Sequence, residues 1–452
     1  MLHYIVRYVK RCAVPVPLTY ASVTTARGVG VAKLGRQGPC RLLDEAMRIE
    51  TIETLERLFE LELHWDELYK TDPHAHLYLS SDFLCAVAIR AAGRFRILIA
   101  WSDAGRCVGL LPLLVKTKWS RSGGCLINVL DMLGHVFDAD YTGILCEPAC
   151  EEAVCRAFAS EVAQMAFGRI VLNYFSGPAR RLQAFTGAFD PRVFATQANE
   201  HFINDGQTNN RICPCIELPD SFPDYLAGLS ANSRQKLRRL LRQLDDDPGL
   251  KVRKSRPESY AEDVTVLSKL WYLKHARGKG RKRAARLAEL LKEVLMLGLA
   301  SGMVYLAILW RDGKPIAAQA NYLDRVKRQA LFHVAGRDDS VRDLSAGLML
   351  QAHCIRWAIA NGFRRYDFTI GNESYKYSLG GVDREIVSAE VCTRTGANRG
   401  EGLDERCRED VLKLIRRYAA SGREEDARTA IEQAVLTWPD FTLDDDLRRR
   451  VP

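Results

Sequence analysis

Four side chains within residues 367–376 are of the types that acyl transfer requires. Moving an acyl group needs a charge or donor at the developing oxyanion, a group that takes a proton, and a site that holds both reactants. Lys376 could supply the charge, and Tyr375 could pass a proton to a leaving thiol. Glu373 and Asp367 are candidate general bases, since burial in a strand would raise the pKa of Asp367. The plainer interpretations are a solvated lysine, a packed ring and a carboxylate that caps a turn.

A β-hairpin and a third strand precede these residues. Residues 304–310 are rich in β-branched and aromatic side chains. Asp312-Gly313 between apolar runs is a strong hairpin signal, and the chain returns over 315–322. Residues 329–334 predict the third strand.

A helix and a buried strand are predicted next. Ser345 stands at an N-cap position, apolar residues follow at helical spacing, and Asn361-Gly362 is typical of a helix C-terminus. Residues 366–370 then predict a buried strand. A strand that leads into a loop and a helix N-terminus can hold a phosphate-bearing cofactor, because the first-turn amides lack partners within the helix. An ordinary βαβ crossover without a ligand has the same pattern.

The third strand and the buried strand are expected to diverge and open a cleft. Val334 and Tyr366 would form its walls, with the helix N-terminus at its floor binding an anionic carrier. If the two strands paired along their whole length, no such site would exist beside Lys376. The candidate cofactor-binding residues are Val334, Gly336, Arg337, Arg342, Ser345, Ala346 and Gly347.

Two basic clusters flank this unit. The first lies on a helix near residues 231–244, whose leucines share one face and whose arginines recur at i, i+4 and i+8 on another. The second lies at 274–283. Together they favour a polyanionic ligand (the nucleotide end of coenzyme A, a sugar nucleotide or a charged tRNA end), although a single charge run is more often a solvated face. The candidate anion-binding residues are Arg234, Arg238, Arg242, Lys274 and Arg277.

Composition and charge exclude several classes of protein. The 452 residues are 47% hydrophobic and 27% charged, as in soluble globular proteins, and no apolar run approaches the ~20 residues of a membrane helix. Residues 1–43 carry seven basic residues and no acid, so they account for most of the net charge of +9. The remainder is too weakly charged to predict DNA binding. We interpret the basic leader as a disordered extension; a transit peptide or a start codon placed too early are alternatives.

The cysteines and histidines predict no metal site. The 13 cysteines are scattered without Cys-x-x-Cys pairs, which is typical of reduced, buried residues in a cytoplasmic protein. His74 and His76 alone are too few ligands for zinc.

The second unit resembles a known family, the Fem-like branch of the GNAT acyltransferases, and especially the acetyltransferases associated with cellulose biosynthesis. The resemblance implies tandem GNAT-like halves, acetyl-CoA or another acyl-CoA as co-substrate, and a lysine matching Lys376 near the reaction centre. Of the usual GNAT pyrophosphate loop, Arg337 and Gly347 are left at a longer spacing. The segments that carry the resemblance are residues 233–239, 312–317, 345–348, 361–362, 366–368 and 371–376.

A weak internal duplication agrees with that family. Residues 95–114 predict a strand, a turn and a strand, and a helix and a further strand follow near 150–173. We therefore predict a mixed α/β fold of two tandem GNAT-like halves, with the main cofactor groove in the second. The predicted divisions are a disordered extension at 1–45, a first half at 46–225, a second half at 226–395 and a helical tail at 396–452.

Three functions fit the sequence. The first is an N- or O-acyltransferase that moves an acetyl or other acyl group from acyl-CoA to a small-molecule or saccharide acceptor, such as an exopolysaccharide or cell-envelope precursor. The second is an aminoacyl-tRNA-dependent transferase, and the third is a non-catalytic partner protein on a GNAT scaffold. The Tyr375-Lys376 end disfavours the third, and the absence of a long coiled-coil arm disfavours the second. We expect the first; the sequence indicates no oligomeric state.

Overall fold

A computed structural model describes residues 47–443 and 447, apart from 92, 204, 205 and 401, and gives only the backbone at 277–279. The predicted extension at 1–45 lies outside the described residues. Within the described ranges, no helix is long and apolar enough to cross a membrane.

The strands in chain order are β1 (Arg48–Ile52), β2 (Phe95–Trp101), β3 (Cys107–Ser120), β4 (Cys125–Met132), β5 (Leu145–Cys146), β6 (Arg169–Phe175), β7 (Phe194–Ala198), β8 (Phe202–Ile203), β9 (Thr208–Asn209), β10 (Cys215–Glu217), β11 (Leu250–Lys254), β12 (Val304–Arg311), β13 (Lys314–Asp324), β14 (Gln329–Arg337), β15 (Arg365–Asp367) and β16 (Val387–Thr393). The α-helices are α1 (Leu55–Glu60), α2 (Glu62–Thr71), α3 (Ser81–Arg90), α4 (Glu151–Val162), α5 (Ala179–Thr186), α6 (Phe222–Gly228), α7 (Ala231–Asp246), α8 (Tyr260–Lys279), α9 (Arg281–Ala300), α10 (Ala346–Ala360), α11 (Ser374–Ser378), α12 (Arg408–Ala420) and α13 (Glu424–Thr437).

Two mixed sheets form the body of the protein. The first has the order β1-β2-β3-β4-β6-β16-β7, with β5 paired to β3, and the second has the order β10-β15-β14-β13-β12-β11. Each sheet contains three consecutive antiparallel strands followed by one parallel pair, which is β4 with β6 in the first and β14 with β15 in the second. The predicted mixed α/β fold with two related halves is confirmed.

Each sheet takes one strand from the far side of the predicted divisions. Strand β10 precedes residue 225 but pairs with β15 in the second sheet. Strand β16 lies within the predicted second half but pairs with β6 and β7 in the first sheet. The predicted boundaries stay a prediction, and the two sheets are interlocked by this exchange.

Local chemistry explains the hairpin between β12 and β13. Asp312 and Gly313 have φ angles of 50° and 76°, the left-handed conformation that a two-residue turn between twisted strands requires. Glycine adopts it freely, and aspartate is among the residues that tolerate it. The hairpin predicted from the sequence is confirmed.

One hydrophobic core joins the two halves. Tyr78 and Phe83 from the first half pack in the same cluster as Tyr322 and Leu331 from the second. A separate small core, which includes Leu126 of β4, Ile415 of α12 and Ala434 of α13, holds the two C-terminal helices against the first sheet. The predicted helical tail is therefore packed against the body of the protein.

Candidate active site

A cleft opens where β14 and β15 separate. The two strands pair over three positions, Gln329–Leu331 against Arg365–Asp367. Strand β14 then runs on to Arg337, whereas β15 ends. A cavity of about 350 Å³ lies along this stretch of β14, a size in the range of small-ligand sites. The predicted divergence of these strands is confirmed.

The cavity brings together five of the residues predicted for the site. Four of them are contributed by the end of α8, the end of β14 and the first turn of α10, and the fifth follows β15. These residues are Lys274, Gly336, Arg337, Gly347 and Tyr375.

The first turn of α10 borders this cavity and is left open. Ser345 is its N-cap residue but makes no side-chain capping hydrogen bond, and the first turn holds no acidic residue. Ser80 and Ser230, by contrast, each accept a bond from a first-turn amide of their own helix. The Ala346 amide donates to the Leu344 carbonyl, so the amides of Gly347 and Leu348 are the ones available to an anion, which the positive end of the helix dipole would stabilise.

Two glycines shape the cavity in different ways. A Cβ at Gly336 would lie 2.5 Å from the backbone nitrogen of Trp271, so glycine is required where α8 crosses β14. A Cβ at Gly347 would meet only the Cδ of Arg337, at 3.7 Å. Glycine at 347 is thus not needed for packing, and its missing side chain leaves room beside the helix N-terminus.

A buried network of polar side chains forms the base of the cavity. The Nε2 atoms of Gln319 and Gln351 donate to the Tyr366 hydroxyl at 2.9 and 2.8 Å, and that hydroxyl donates to Asn321 at 2.6 Å. Sequence reasoning did not assign Gln319 and Gln351 to the site, although both line the cavity. The sequence did offer a signal for each: Gln319 lies in an otherwise apolar strand, and Gln351 lies in an otherwise apolar stretch of helix.

Of the four predicted catalytic residues, Tyr375 is the one that lines the cavity. Its ring is partly exposed, and burial followed by the nearby charge of Glu373 raises the pKa of its hydroxyl. The phenol is therefore protonated at neutral pH and can donate a hydrogen bond or a proton.

Lys376 does not line the cavity. Its side chain is buried, and its Nζ donates to the carbonyl oxygens of Ile370 and Gly371 at 2.7 and 2.8 Å, with that of Thr369 at 3.4 Å and a Glu373 oxygen at 3.1 Å. The predicted contact with a developing oxyanion is not made in this structure, because α11 turns the ammonium inward. Its geometry favours a structural role, namely holding together the loop in which Thr369 and Gly371 have positive φ.

Asp367 and Glu373 also lie outside the cavity lining. Asp367 is fully buried and accepts hydrogen bonds from the Tyr141 hydroxyl and the Thr369 amide, both at 2.7 Å. It points to the face of the sheet opposite that of Tyr366, towards the first half. Glu373 is engaged by Lys376.

The remaining predicted residues are distributed around the site without lining it. Val334 and Ala346 pack in hydrophobic cores, because neighbouring residues of a strand or helix face different sides. Arg342 and Ser345 are exposed beyond the cavity lining. These four side chains are therefore not the cavity contacts that the sequence predicted.

The basic helix α7 has the predicted two faces. Its leucines are buried, whereas Arg238 and Arg242 are exposed and Arg234 donates to the carbonyl of Ala227. None of these arginines lines the cavity described above. The side chain of Arg277 lies outside the described residues. No group of three or more metal-ligating side chains occurs in the part of the chain that the structure describes.

Comparisons with known proteins show what this part of the chain is similar to. Residues 231–377 match a family model described as an acetyltransferase domain of the GNAT type. The match includes the cavity, α10 and Lys376, and it agrees with the GNAT resemblance predicted from the sequence. A comparison with curated proteins gave no match.

Solved structures resemble the chain at low identity. A crystal structure of FemX has a TM-score of 0.52 at 12% identity and covers 76% of this chain and 98% of its own. A tandem GNAT protein from the clavulanic acid biosynthesis pathway has a TM-score of 0.42 at 12% identity and covers the same shares. L-PGS from Bacillus licheniformis has 0.40 at 11% identity and covers 75% of this chain and 92% of its own. Of these, FemX alone exceeds 0.5, and at this identity the likeness concerns the fold.

Proposed function

We propose that this protein is an acyltransferase that moves an acyl group, such as acetyl, from acyl-CoA to an amine or hydroxyl of a polar acceptor. The acceptor belongs to the small molecules or saccharides that serve as exopolysaccharide or cell-envelope precursors, and the reaction takes place in the cytoplasm. The proposal places the chain in the Fem-like branch of the GNAT acyltransferases.

The cavity beneath the first turn of α10 carries this proposal. An elongated carrier fits between β14 and α10 with its pyrophosphate at the uncapped helix N-terminus and beside Arg337 and Lys274. Its thioester then lies near Tyr375, whose protonated hydroxyl can give a proton to the leaving thiolate. Gln319 and Gln351 supply amide groups for the polar pantetheine chain at the base.

Calorimetric titration of the full chain with acetyl-CoA tests this function. We expect saturable binding at one site, competed by coenzyme A and weakened by Tyr375→Leu less than by substitutions at the helix N-terminus. A release of free thiol when an acceptor mixture is added would then report transfer. Absence of acetyl-CoA binding would contradict the proposal.

An aminoacyl-tRNA-dependent reaction is the second candidate, and the exposed arginines of α7 favour it. Arg238 and Arg242 present guanidinium groups that suit phosphates, outside the cavity where a larger polyanion would lie. Titration with charged tRNA in parallel with acetyl-CoA separates the two candidates. Binding of neither, with Lys376→Ala harmless in vivo, would favour a non-catalytic partner protein.

A further inference from the structure

A cluster of phenols and carboxylates lies where the two halves meet, on the face of the second sheet opposite the cavity. We call Tyr78, Asp140, Tyr141, Tyr322 and Asp367 the junction cluster. The Tyr78 hydroxyl donates to Asp140 at 2.9 Å, and the Tyr141 hydroxyl donates to Asp367 at 2.7 Å. The rings of Tyr78 and Tyr322 meet edge to face at 5.8 Å, so both halves contribute to one polar site.

Two members of the junction cluster hold buried atoms without a partner. The hydroxyl of Tyr322 and the Oδ2 of Asp367 have no hydrogen bond among the described residues, and both side chains are 1% exposed. His333, whose ring lies 4.6 Å from that of Tyr322, adds a buried Nε2 that is also without a partner. An unsatisfied buried polar atom costs about 1–3 kcal/mol, so three together mark a place for a polar group, either water or a ligand.

The junction cluster adjoins the cavity through the gap between β14 and β15. Phe332 lines the cavity, whereas the ring of His333, the next residue of β14, contacts Tyr322 on the other side of the sheet, at an irregularity in the pairing of β13 with β14. Asp367 is the last residue of β15 that pairs with β14. Beyond this pair the Thr369 hydroxyl donates to the Phe332 carbonyl at 3.1 Å. The cavity lies on one face of the sheet past this bridge, and the junction cluster lies on the other.

We propose that the junction cluster binds the acceptor, that the reacting group of the acceptor is a primary amine, and that Asp140 is the catalytic residue that takes its proton. This inference rests on the proposed function, which supplies the acyl donor from the opposite face.

The unpartnered atoms favour an amine over a hydroxyl. A carboxylate oxygen accepts hydrogen bonds, and a phenol oxygen and a neutral imidazole nitrogen can do so. Burial lowers the pKa of His333 to about 4, so its ring is neutral at pH 7. An ammonium group offers three donors and a positive charge to two carboxylates, whereas a hydroxyl offers one donor and no charge.

Asp140 is suited to accept the proton. It is half-buried, and burial raises the pKa of its carboxyl to about 7, against the Tyr78 hydrogen bond and the charge of Lys376, which lower it. Asp367 from β15 and Asp138 from its own loop raise it further. A general base is most effective when its pKa lies near the working pH.

The proposed step balances as follows. Asp140 takes one proton from the ammonium group, and the freed nitrogen lone pair attacks the thioester carbon. The C–N bond forms and the C–S bond breaks. Tyr375 gives its proton to the departing sulfur on the cavity side, and its phenolate then takes the second nitrogen proton, which restores the phenol. Asp140 returns its proton to solvent.

The test compares Asp140→Asn with Asp138→Asn in the full chain. Thiol release from acetyl-CoA is followed from pH 5.5 to 9 with a panel of primary amines, beginning with glucosamine, and with their alcohol counterparts, beginning with glucose. We expect amine-dependent release whose kcat/KM falls below about pH 7, a loss of about 100-fold or more in Asp140→Asn, and partial recovery in Asp140→Glu. Asparagine can still accept the Tyr78 hydrogen bond. Asp138→Asn, at an exposed residue of the same loop, is the matched control: it should keep its rate and move the acidic limb slightly to lower pH, because Asp138 raises the pKa of Asp140.

Each outcome bears on a different claim. Failure of acetyl-CoA to bind the unmodified chain contradicts the proposed function itself. If acetyl-CoA binds but only alcohols, or no amines of the panel, increase thiol release, the amine assignment is overturned. If amines react and Asp140→Asn keeps both its rate and its acidic limb, Asp140 is not the base.

Discussion

The two halves contain the same parallel strand pair but complete it differently. In the first half, β4 pairs with β6 over three positions and ends one residue later, while β6 continues and pairs with β16. In the second half, β14 also pairs with β15 over three positions but runs on for six residues without it. Beyond the first pair, the free edge of β6 is met by Thr142, which bridges Phe175. In the described part of the chain, the second pair has no such bridge from the other half and leaves the cavity.

The helices that precede β6 and β15 also differ, in the charge of their first turns. Helix α4 begins with Glu151 and Glu152, and Glu151 is buried against Arg181. Helix α10 begins with Ala346 and Gly347 and carries no acid in its first turn. The positive end of one helix dipole is therefore matched by a carboxylate of the chain, and the other has no carboxylate in its first turn. The same topology is thus closed in the first half and left open at the cavity in the second.

The largest effect is expected from the ion pairs that close the first half. Arg181 is buried between Asp72 and Glu151, with N–O distances of 2.7 and 2.5 Å. Arg181→Met would leave the buried Asp72 without its charged partner and Glu151 with only the exposed Arg180, and it would reduce the free energy of unfolding by about 3–5 kcal/mol. Urea denaturation measures this. Arg180→Met, at an exposed partner of Glu151, is the control and should cost about 1 kcal/mol or less; equal costs would contradict the assignment.

The next effect concerns the loop that follows β15. Lys376→Met removes the buried donor that Ile370, Gly371 and Glu373 share, so we expect a loss of about 3 kcal/mol in the free energy of unfolding. Lys274→Met, at the exposed lysine of the cavity, should cost less than about 0.5 kcal/mol. A Lys376→Met protein of normal stability that has lost only turnover would restore the catalytic role predicted from the sequence.

Giving α10 the acidic first turn of α4 should remove the difference between the halves. Gly347→Glu adds a carboxylate where a Cβ meets only Arg337, so the protein should fold normally. We expect the affinity for acetyl-CoA to fall about 30-fold, equivalent to about 2 kcal/mol, in a calorimetric titration. Gly347→Ala adds a single methyl group and should stay within about threefold of the unmodified protein. Unchanged affinity in Gly347→Glu would show that the helix N-terminus does not bind the donor.

The smallest effect is a dependence of stability on pH in the first half. Burial would raise the pKa of Asp131, but its hydrogen bond with His135 and the charge of Lys116 hold it below its ordinary value. A lowered pKa stabilises the folded state above about pH 4 and the contribution is lost as the pH falls further. Asp131→Asn should therefore cost about 1–2 kcal/mol at pH 7 and show a shallower loss of stability on acidification. Parallel curves for both proteins would exclude this role.

The helices and strands around the site could be predicted because each depends on residues that are close together in the sequence. The turn at Asp312-Gly313, the helix beginning after Ser345 and its end at Asn361 all follow from short-range backbone preferences, and the structure has them. The direction of individual side chains does not follow from such signals. Lys376 was expected to face the reaction centre, but the short helix α11 directs it into the loop.

Residues brought together by tertiary contacts were the hardest to predict. Asp140 and Asp367 lie more than 200 residues apart, and the sequence indicated neither their proximity nor the role of Tyr322. Gln319 and Gln351 lie inside apolar segments, and the periodicity of those segments indicates burial but not a place in the cavity lining. In each case the information lies in how the two sheets pack, which spacing along the chain does not encode.

The exchange of β10 and β16 between the sheets bears on how this protein could be dissected. A cut between α6 and α7 would leave the leading fragment without the strand that joins β6 to β7, and the trailing fragment without the edge strand beside β15. We expect neither fragment to be stable alone, yet each holds the piece that the other lacks. Co-expressed fragments should therefore reassemble, which would make the chain a natural starting point for a split-protein reporter.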